Sequence, residues 1–116
     1  MIAVIFEVVP YPDEKQTYLE IAANLGAHLA QMDGFISIER FQSLSEPNKF
    51  LSLSFWRDEQ AVLAWRNRHQ HREAQARGRA SIFAHYRLRV AQVMRDYGLQ
   101  EREQCPIDSQ TYHQQP

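Results

Sequence analysis

The chain has 116 residues, 44% of them hydrophobic, so we expect one domain with a small core. It carries 13 basic and 14 acidic residues, and the formal net charge of −1 offers no general attraction for nucleic acid or an anionic membrane. The only cysteine is Cys105, so no internal disulfide can form and a reducing, cytoplasmic location is expected. No window approaches the ~20 apolar residues of a membrane span.

A buried strand and an amphipathic helix are the first two predicted elements. Residues 2–9 are almost continuously apolar and β-branched, which predicts a strand in the centre of its sheet. After Asp13, apolar residues recur at three- and four-residue steps up to Met32, which predicts a helix of about five turns at ~3.6 residues each. Gly34 suits the left-handed position that follows a helix end.

Two strands joined by a polar turn follow, which predicts a hairpin. Residues 50–56 alternate between serine and apolar side chains, which places Leu51, Leu53 and Phe55 on one face. The earlier strand, residues 35–41, alternates in the same way. Its two predicted faces are Phe35, Ser37, Glu39 and Phe41 on one side, and Ile36, Ile38 and Arg40 on the other.

The last predicted elements are a second helix, a fourth strand and a tail. Asp58 can cap the helix because its carboxylate accepts from free N–H groups of the first turn. The helix is predicted to run to about Ala76 and to stop at Gly78. Residues 82–94 form the strand, which ends a domain of residues 1–97. Residues 98–116 are predicted to be a polar tail that is flexible or ordered by a partner subunit.

This order, β-α-β-β-α-β, is typical of the ferredoxin-like α+β fold. It predicts a four-stranded antiparallel sheet with two helices on one face. The other face would be left bare and partly apolar, which predicts a homodimer whose two sheets pack face to face. The alternative is a monomer with a polar outer face.

Three segments carry a resemblance to a known family: the strand-to-helix join at residues 54–61, the pair Trp65 and His69, and the last strand at residues 86–90. They resemble the antibiotic biosynthesis monooxygenase (ABM) superfamily of dimeric α+β barrels. The resemblance covers about residues 1–97. It implies an oxidoreductase, because the superfamily includes polyketide-quinone monooxygenases, quinol oxygenases and haem-degrading enzymes.

The haem-degrading branch fits this chain poorly. Its members resemble one another in an Asn on the first strand, a Trp on the second helix and a His about ten residues further on. Trp65 matches, but Gln75 stands at the His position and Phe6 and Glu7 stand where the Asn would be. Haem degradation is therefore not expected, and neither is a metal site, since His69 and His71 point away from each other on one helix.

Two groups of side chains could carry chemistry. Trp65, His69 and Arg72 would share one helical face and could wall a cavity between helix and sheet. Alternatively, Trp65 is a core residue, and His69 and Arg72 lie at its solvent-exposed end. On the last strand, His85, Arg87 and Arg89 could stabilise an enolate or phenolate. Alternatively, they pair with carboxylates such as Glu7 or Glu39 on neighbouring strands.

Two functions follow as hypotheses. The first, implied by the resemblance, is a cofactor-free monooxygenase acting on an aromatic phenol, quinol or polyketide-like substrate. Its predicted catalytic residues are Trp65, His69 and Arg87, where His69 takes a proton and Arg87 holds the anion. Its predicted substrate-binding residues are Phe83, Arg72 and His85. The second is a non-catalytic dimeric module that binds a small apolar ligand or another protein.

Overall fold

A single antiparallel sheet carries the fold in this computed structural model, which describes residues 1–114 apart from the side chains of residues 69, 70 and 114. The strands are β1 (Ile2–Pro10), β2 (Phe35–Gln42), β3 (Phe50–Trp56) and β4 (Phe83–Gln92). The helices are α1 (Lys15–Leu29), α2 (Glu59–Arg66), α3 (His69–Arg77) and α4 (Ile107–Gln114). The strand order is β2-β3-β1-β4, which confirms the ferredoxin-like α+β topology.

The central position predicted for the first strand is confirmed, because β1 pairs with both β3 and β4. Its even-numbered side chains, such as Val4 and Phe6, pack under the helices and define the helix-side face of the sheet. Its odd-numbered side chains, such as Ile5 and Glu7, point the other way and define the outer face. Each neighbouring strand is divided in the same manner, because paired residues share a face.

The helix-side core consists of two clusters of buried residues. One is formed by Leu29, Trp56, Ala61, Val62 and Trp65, and the other by Val8, Tyr18, Phe50 and Ile82. Helix α1 contributes to both, whereas α2 contributes to the first alone. The candidate site lies in the space between these two clusters.

The join between β3 and α2 is built as the sequence predicts. Asp58 is the N-cap of α2, and its Oδ1 accepts from the backbone N–H of Ala61 at 2.9 Å. The backbone N–H of Arg57 donates to the carbonyl oxygen of Gly34 at 2.7 Å. Gly34 has φ +86°, and a Cβ there would lie 2.6 Å from that of Ala61, so only glycine fits this close approach.

The predicted second helix is wrong in one respect that matters for the site. It is broken into α2 and α3, because Asn67 caps the end of α2 and Arg68 is extended, with φ −64° and ψ 139°. The Asn67 Nδ2 donates to the carbonyl oxygen of Leu63 at 3.0 Å and satisfies the helix end. The predicted end at Gly78 is confirmed, because Gly78 is the C-cap of α3, although a π-helical turn, Gly78–Ile82, then continues into β4.

Two further differences are local. The pairing of β2 with β3 shifts between Phe35 and Ser37, so this irregularity puts Phe35 on the face of Ile38 instead of the face of Glu39. The predicted polar tail contains α4, a helix that the sequence does not signal. Over the described residues, no helix has both the length and the apolar character needed to cross a membrane.

Candidate active site

A cavity of about 210 Å³ lies between the helix-side face and helices α1 to α3. Most of its wall is apolar and comes from both core clusters. This volume is below the ~300–1,000 Å³ of pockets that enclose drug-sized ligands, so the cavity suits a small molecule. Its principal apolar and aromatic walls are Val4, Phe6, Leu25, Trp56, Trp65 and Phe83.

Trp65 is both a core residue and a wall of this cavity. Its indole is 8% exposed and stacks on Trp56, with ring centroids 6.4 Å apart. Trp56 in turn donates from Nε1 to the Ser54 hydroxyl oxygen at 2.9 Å, so its buried N–H is satisfied. Both predicted placements of Trp65, as a cavity wall and as a core residue, therefore apply to the same side chain, and its catalytic role stays a prediction.

His71 lies against the other side of Trp65. Their rings stack at 5.0 Å with an interplanar angle of 20°. Burial lowers the pKa of His71, and the charges of Arg72 and Arg66 lower it further, although interactions with the backbone of Arg66 and Trp65 oppose the shift. The imidazole is therefore neutral at pH 7. His71 lines the cavity, and its buried Nδ1 has no hydrogen-bond partner among the described atoms.

Arg40 brings a charge to the same cavity from β2. Its Nη2 donates to the carbonyl oxygen of Ala22 on α1 at 3.4 Å. Its Nε is buried and finds no hydrogen-bond partner in the part of the chain that is described. Burial raises the pKa of Tyr18, while the charge of Arg40 and a hydrogen bond with its guanidinium oppose that shift. The Tyr18 hydroxyl is thus a neutral group beside a cation.

The polar lining of the cavity has one sign of charge. Its polar and charged members are Tyr18, Arg40, Ser52, Ser54, Arg66, His71, Gln75 and Arg79. The described wall contains three arginines and no carboxylate. Clefts lined by one sign of charge raise the local concentration of oppositely charged ligands, so this wall favours an anion.

Of the predicted site residues, the structure brings Trp65 and Phe83 together in the cavity. Phe83 packs its ring edge-on against Phe6 at 5.8 Å and Tyr18 at 6.0 Å. Arg72 does not line the cavity. It is exposed and donates to Asn67 Oδ1 at 2.8 Å and Gln75 Oε1 at 3.2 Å, because the helix break turns it outward.

The side chain of His69 lies outside the described residues, so its predicted role stays a prediction. The predicted face shared by positions 65, 69 and 72 does not exist as one helical face, because these positions belong to two helices. Trp65 ends up stacked on His71 instead.

His85 and Arg87 lie on the outer face, away from the cavity, which corrects the prediction that they share a pocket with Trp65. In the strand register His85 is opposite Val9 and Arg87 is opposite Glu7, both odd-numbered positions of β1. Arg89 pairs with Glu7 at 3.4 Å between Nη1 and Oε1, so the cross-strand ion pair predicted as the alternative is confirmed for Arg89.

Sequence reasoning missed Arg40, His71 and Tyr18. A signal existed for Arg40, since the alternation already placed this charge on one face with Ile38. His71 was hidden because a continuous helix would have turned it away from Trp65, and Asn67 was the only hint of a break. Over the residues described, no three His, Cys, Asp or Glu side chains are grouped as metal ligands.

Comparison with known proteins identifies the family of this chain. The family model for antibiotic biosynthesis monooxygenase matches residues 1–77. The chain belongs to this family. A jasmonate monooxygenase ABM from Pyricularia oryzae is 50% identical over 93 residues, which are 80% of this chain and 43% of that protein. The chain therefore spans less than half the length of this relative.

Two solved structures illustrate that the fold is shared. A candidate antibiotic biosynthesis monooxygenase from Deinococcus radiodurans superposes with a TM-score of 0.78 at 12% identity, over 85% of this chain and 98% of that one. The Mycobacterium tuberculosis protein Rv0793 gives a TM-score of 0.76 at 15% identity, over 84% and 98% of the two chains. At these identities the likeness concerns the fold alone.

Proposed function

We propose that this ABM-family protein is a monooxygenase that oxidises a small aromatic phenol, quinol or polyketide-like substrate in the cavity. The observation that carries the proposal is the neutral His71, which lines the cavity, stacks on Trp65 and has an Nδ1 without a partner among the described atoms. A base that is neutral at the working pH and held next to an apolar pocket is what proton abstraction from such a substrate requires.

The substrate would supply the electrons. His71 removes a proton from a phenolic O–H or from a CH₂ group beside a carbonyl, and the resulting anion reacts with O₂. When a CH₂ group becomes C=O, one oxygen atom of O₂ enters the product and the other leaves with the two hydrogens as water. Trp65 and Phe83 hold the aromatic body, and Arg40 stabilises the negative charge that develops.

Oxygen uptake tests this proposal. The substrate panel contains hydroquinones, anthrones and jasmonate, the last because of the relative's name. His71→Gln is expected to lower kcat/KM by about 100-fold or more, the usual contribution of a general base. His28→Gln, on α1 and away from the cavity wall, is the matched control and should change it less than twofold. His69→Gln asks whether the predicted acceptor contributes.

The outcomes separate the two hypotheses. Uptake that is unchanged in His71→Gln would remove His71 from the mechanism. Absence of uptake with the whole panel, together with retained binding of a panel member, would favour the non-catalytic module. A helix–sheet space filled by side chains would have favoured that module over the oxygenase, whereas the structure has a cavity there.

The pH dependence gives a second check. His71 must be neutral to accept a proton, and its pKa is lowered by burial and by the nearby charges of Arg66 and Arg72. Activity should therefore persist below the pH at which an exposed imidazole titrates, and should fall only as the pH passes through this lowered pKa. An acid limb at the pH of an ordinary exposed imidazole would contradict the assignment.

We also propose that two copies join through the outer face. The supporting observation is a row of apolar side chains on that face of β1 and β3: Ala3, Ile5, Leu51, Leu53 and Phe55. Sedimentation should show a dimer at micromolar concentration, and Leu53→Glu should dissociate it by placing a charge in the contact. A lone protomer would refute this. The cytoplasmic location stays a prediction.

A further inference from the structure

Arg40 is a partly buried cation without a counter-ion. None of the described carboxylates forms a salt bridge with it, and its Nε has no partner. The single hydrogen bond of its guanidinium to a backbone oxygen, that of Ala22, is long at 3.4 Å. A charge held in apolar surroundings is costly unless it is paired, so this arrangement is poised to accept an anion.

The immediate neighbour of Arg40 adds a second donor. Tyr18 is 6% exposed and lies close enough for its hydroxyl to interact with the guanidinium. Burial keeps this hydroxyl protonated, so it can donate. The residue paired with Arg40 across the strands, Ser52, also lines the cavity. One charged donor and two hydroxyl groups therefore gather at one place in a mostly apolar wall.

We propose that the cavity binds an amphipathic carboxylate, with Arg40 as the residue that holds the carboxylate group and with the aromatic wall around the apolar body. This inference rests on the proposed function, because it names the class of substrate for the same cavity. The substrate is then a phenol, quinol or anthrone that also carries a carboxylate. Arg40 determines specificity for it.

A carboxylate fits better than a phosphate for two reasons. The guanidinium of Arg40 and the Tyr18 hydroxyl are neighbouring donors for the two oxygens of a carboxylate, and Arg binds carboxylates with directed, charge-assisted hydrogen bonds. A phosphate has three strong acceptor oxygens and would need further donors. The other two cavity arginines, Arg66 and Arg79, are exposed, so they steer an anion toward the cavity and need not bind it directly.

Binding of octanoate tests the inference without any oxidation. Octanoate is saturated and supplies no electrons, so the measurement does not depend on whether the protein is an oxygenase. The readout is the fluorescence of Trp56 and Trp65, both of which line the cavity, confirmed by calorimetry. Octanamide, which has the same chain and no charge, is the matched ligand. Arg89→Gln, which removes a strand arginine from the outer face, is the matched variant.

We expect octanoate to bind the full chain at least tenfold more tightly than octanamide. Arg40→Gln should weaken octanoate by about tenfold or more, the size of a charged hydrogen bond, and leave octanamide within twofold. Arg40→Lys, which keeps the charge, should recover part of the loss. Arg89→Gln should bind both ligands as the unmodified protein does.

Three outcomes would overturn the inference: no saturable binding of octanoate, equal affinity for the two ligands, or the same loss in Arg89→Gln as in Arg40→Gln. Circular dichroism of each variant checks that the fold is retained, and Arg40→Lys serves if Arg40→Gln does not fold. Octanoate binding that depends on Arg40 without oxygen uptake would leave this inference standing while the oxygenase fails.

Discussion

The two faces of the sheet use their charged side chains differently. On the outer face, Glu7 lies between two cations, Arg89 at 3.4 Å and Lys49 at 3.6 Å, so its charge is matched within the protein. On the helix-side face, Arg40 has a buried Nε without a partner in the described structure, and the same holds for Nδ1 of His71, which lines the same cavity from α3. Both faces come from the same alternating strands, and the difference lies in what stands opposite each charge.

This comparison distinguishes charged groups in structural ion pairs from charged or polar groups that have no partner within the described protein and could bind a ligand. His85, Arg87 and Arg89 on β4 have the composition of an anion-binding site. They lie on the outer face, however, beside the carboxylate of Glu7, which pairs with Arg89. A single arginine on β2 lacks such a partner and lines a cavity. Unsatisfied polarity inside an apolar wall, rather than the number of charges, therefore marks the candidate site.

The largest expected effect on stability comes from cutting away the cavity wall. Trp65→Ala removes a side chain that is 8% exposed and stacks on two rings, so it should lower the free energy of unfolding by about 3–5 kcal/mol. Leu53→Ala, half-buried on the outer face of a lone protomer, should cost below about 2 kcal/mol there. Urea unfolding measures both, and equal costs would mean that the outer face is as well packed as the core.

A smaller loss of stability is expected from removing one buried hydrogen bond on the helix-side face. Ser54→Ala leaves the buried Nε1–H of Trp56 without its acceptor at 2.9 Å, which should cost about 1–3 kcal/mol. Ser52→Ala, on the same strand and face, is the matched control. The described contacts give Ser52 no side-chain hydrogen bond, so a change within about 0.5 kcal/mol is expected by the same unfolding measurement. Equal losses would contradict the role assigned to this bond.

Much of this fold was readable from the sequence because its signals are local. Alternation predicted β3 with its observed ends, and the continuous apolar run predicted the central position of β1. Asp58 marked the start of α2 through its capping chemistry. Each of these depends on neighbours in the chain, which a sequence displays directly.

The candidate site was less readable because it depends on distant residues. Whether an arginine on a strand is paired with a carboxylate is decided by the strand beside it, so Arg89 and Arg40 look alike in sequence and differ in the fold. The break at Asn67 separates α3 from α2, and His71 on α3 stacks on Trp65. A break of two residues changes every predicted helical face after it.

The smallest effect should come from the paired charges of the outer face. Glu7→Gln removes the carboxylate shared by Arg89 and Lys49, but about a third of each partner's side chain or more is exposed. Such pairs are screened by water and salt, so the free energy of unfolding should fall by less than about 1 kcal/mol, and less still in 1 M salt. Urea unfolding at low and high salt measures this.

The same variant also sharpens the comparison between the faces. If two copies cover the outer face in solution, Glu7 is desolvated there, and its loss leaves two cations in a closed contact. The cost would then rise above about 2 kcal/mol and would depend on protein concentration, because it falls on the dimer. A small, concentration-independent cost would instead show an outer face open to water.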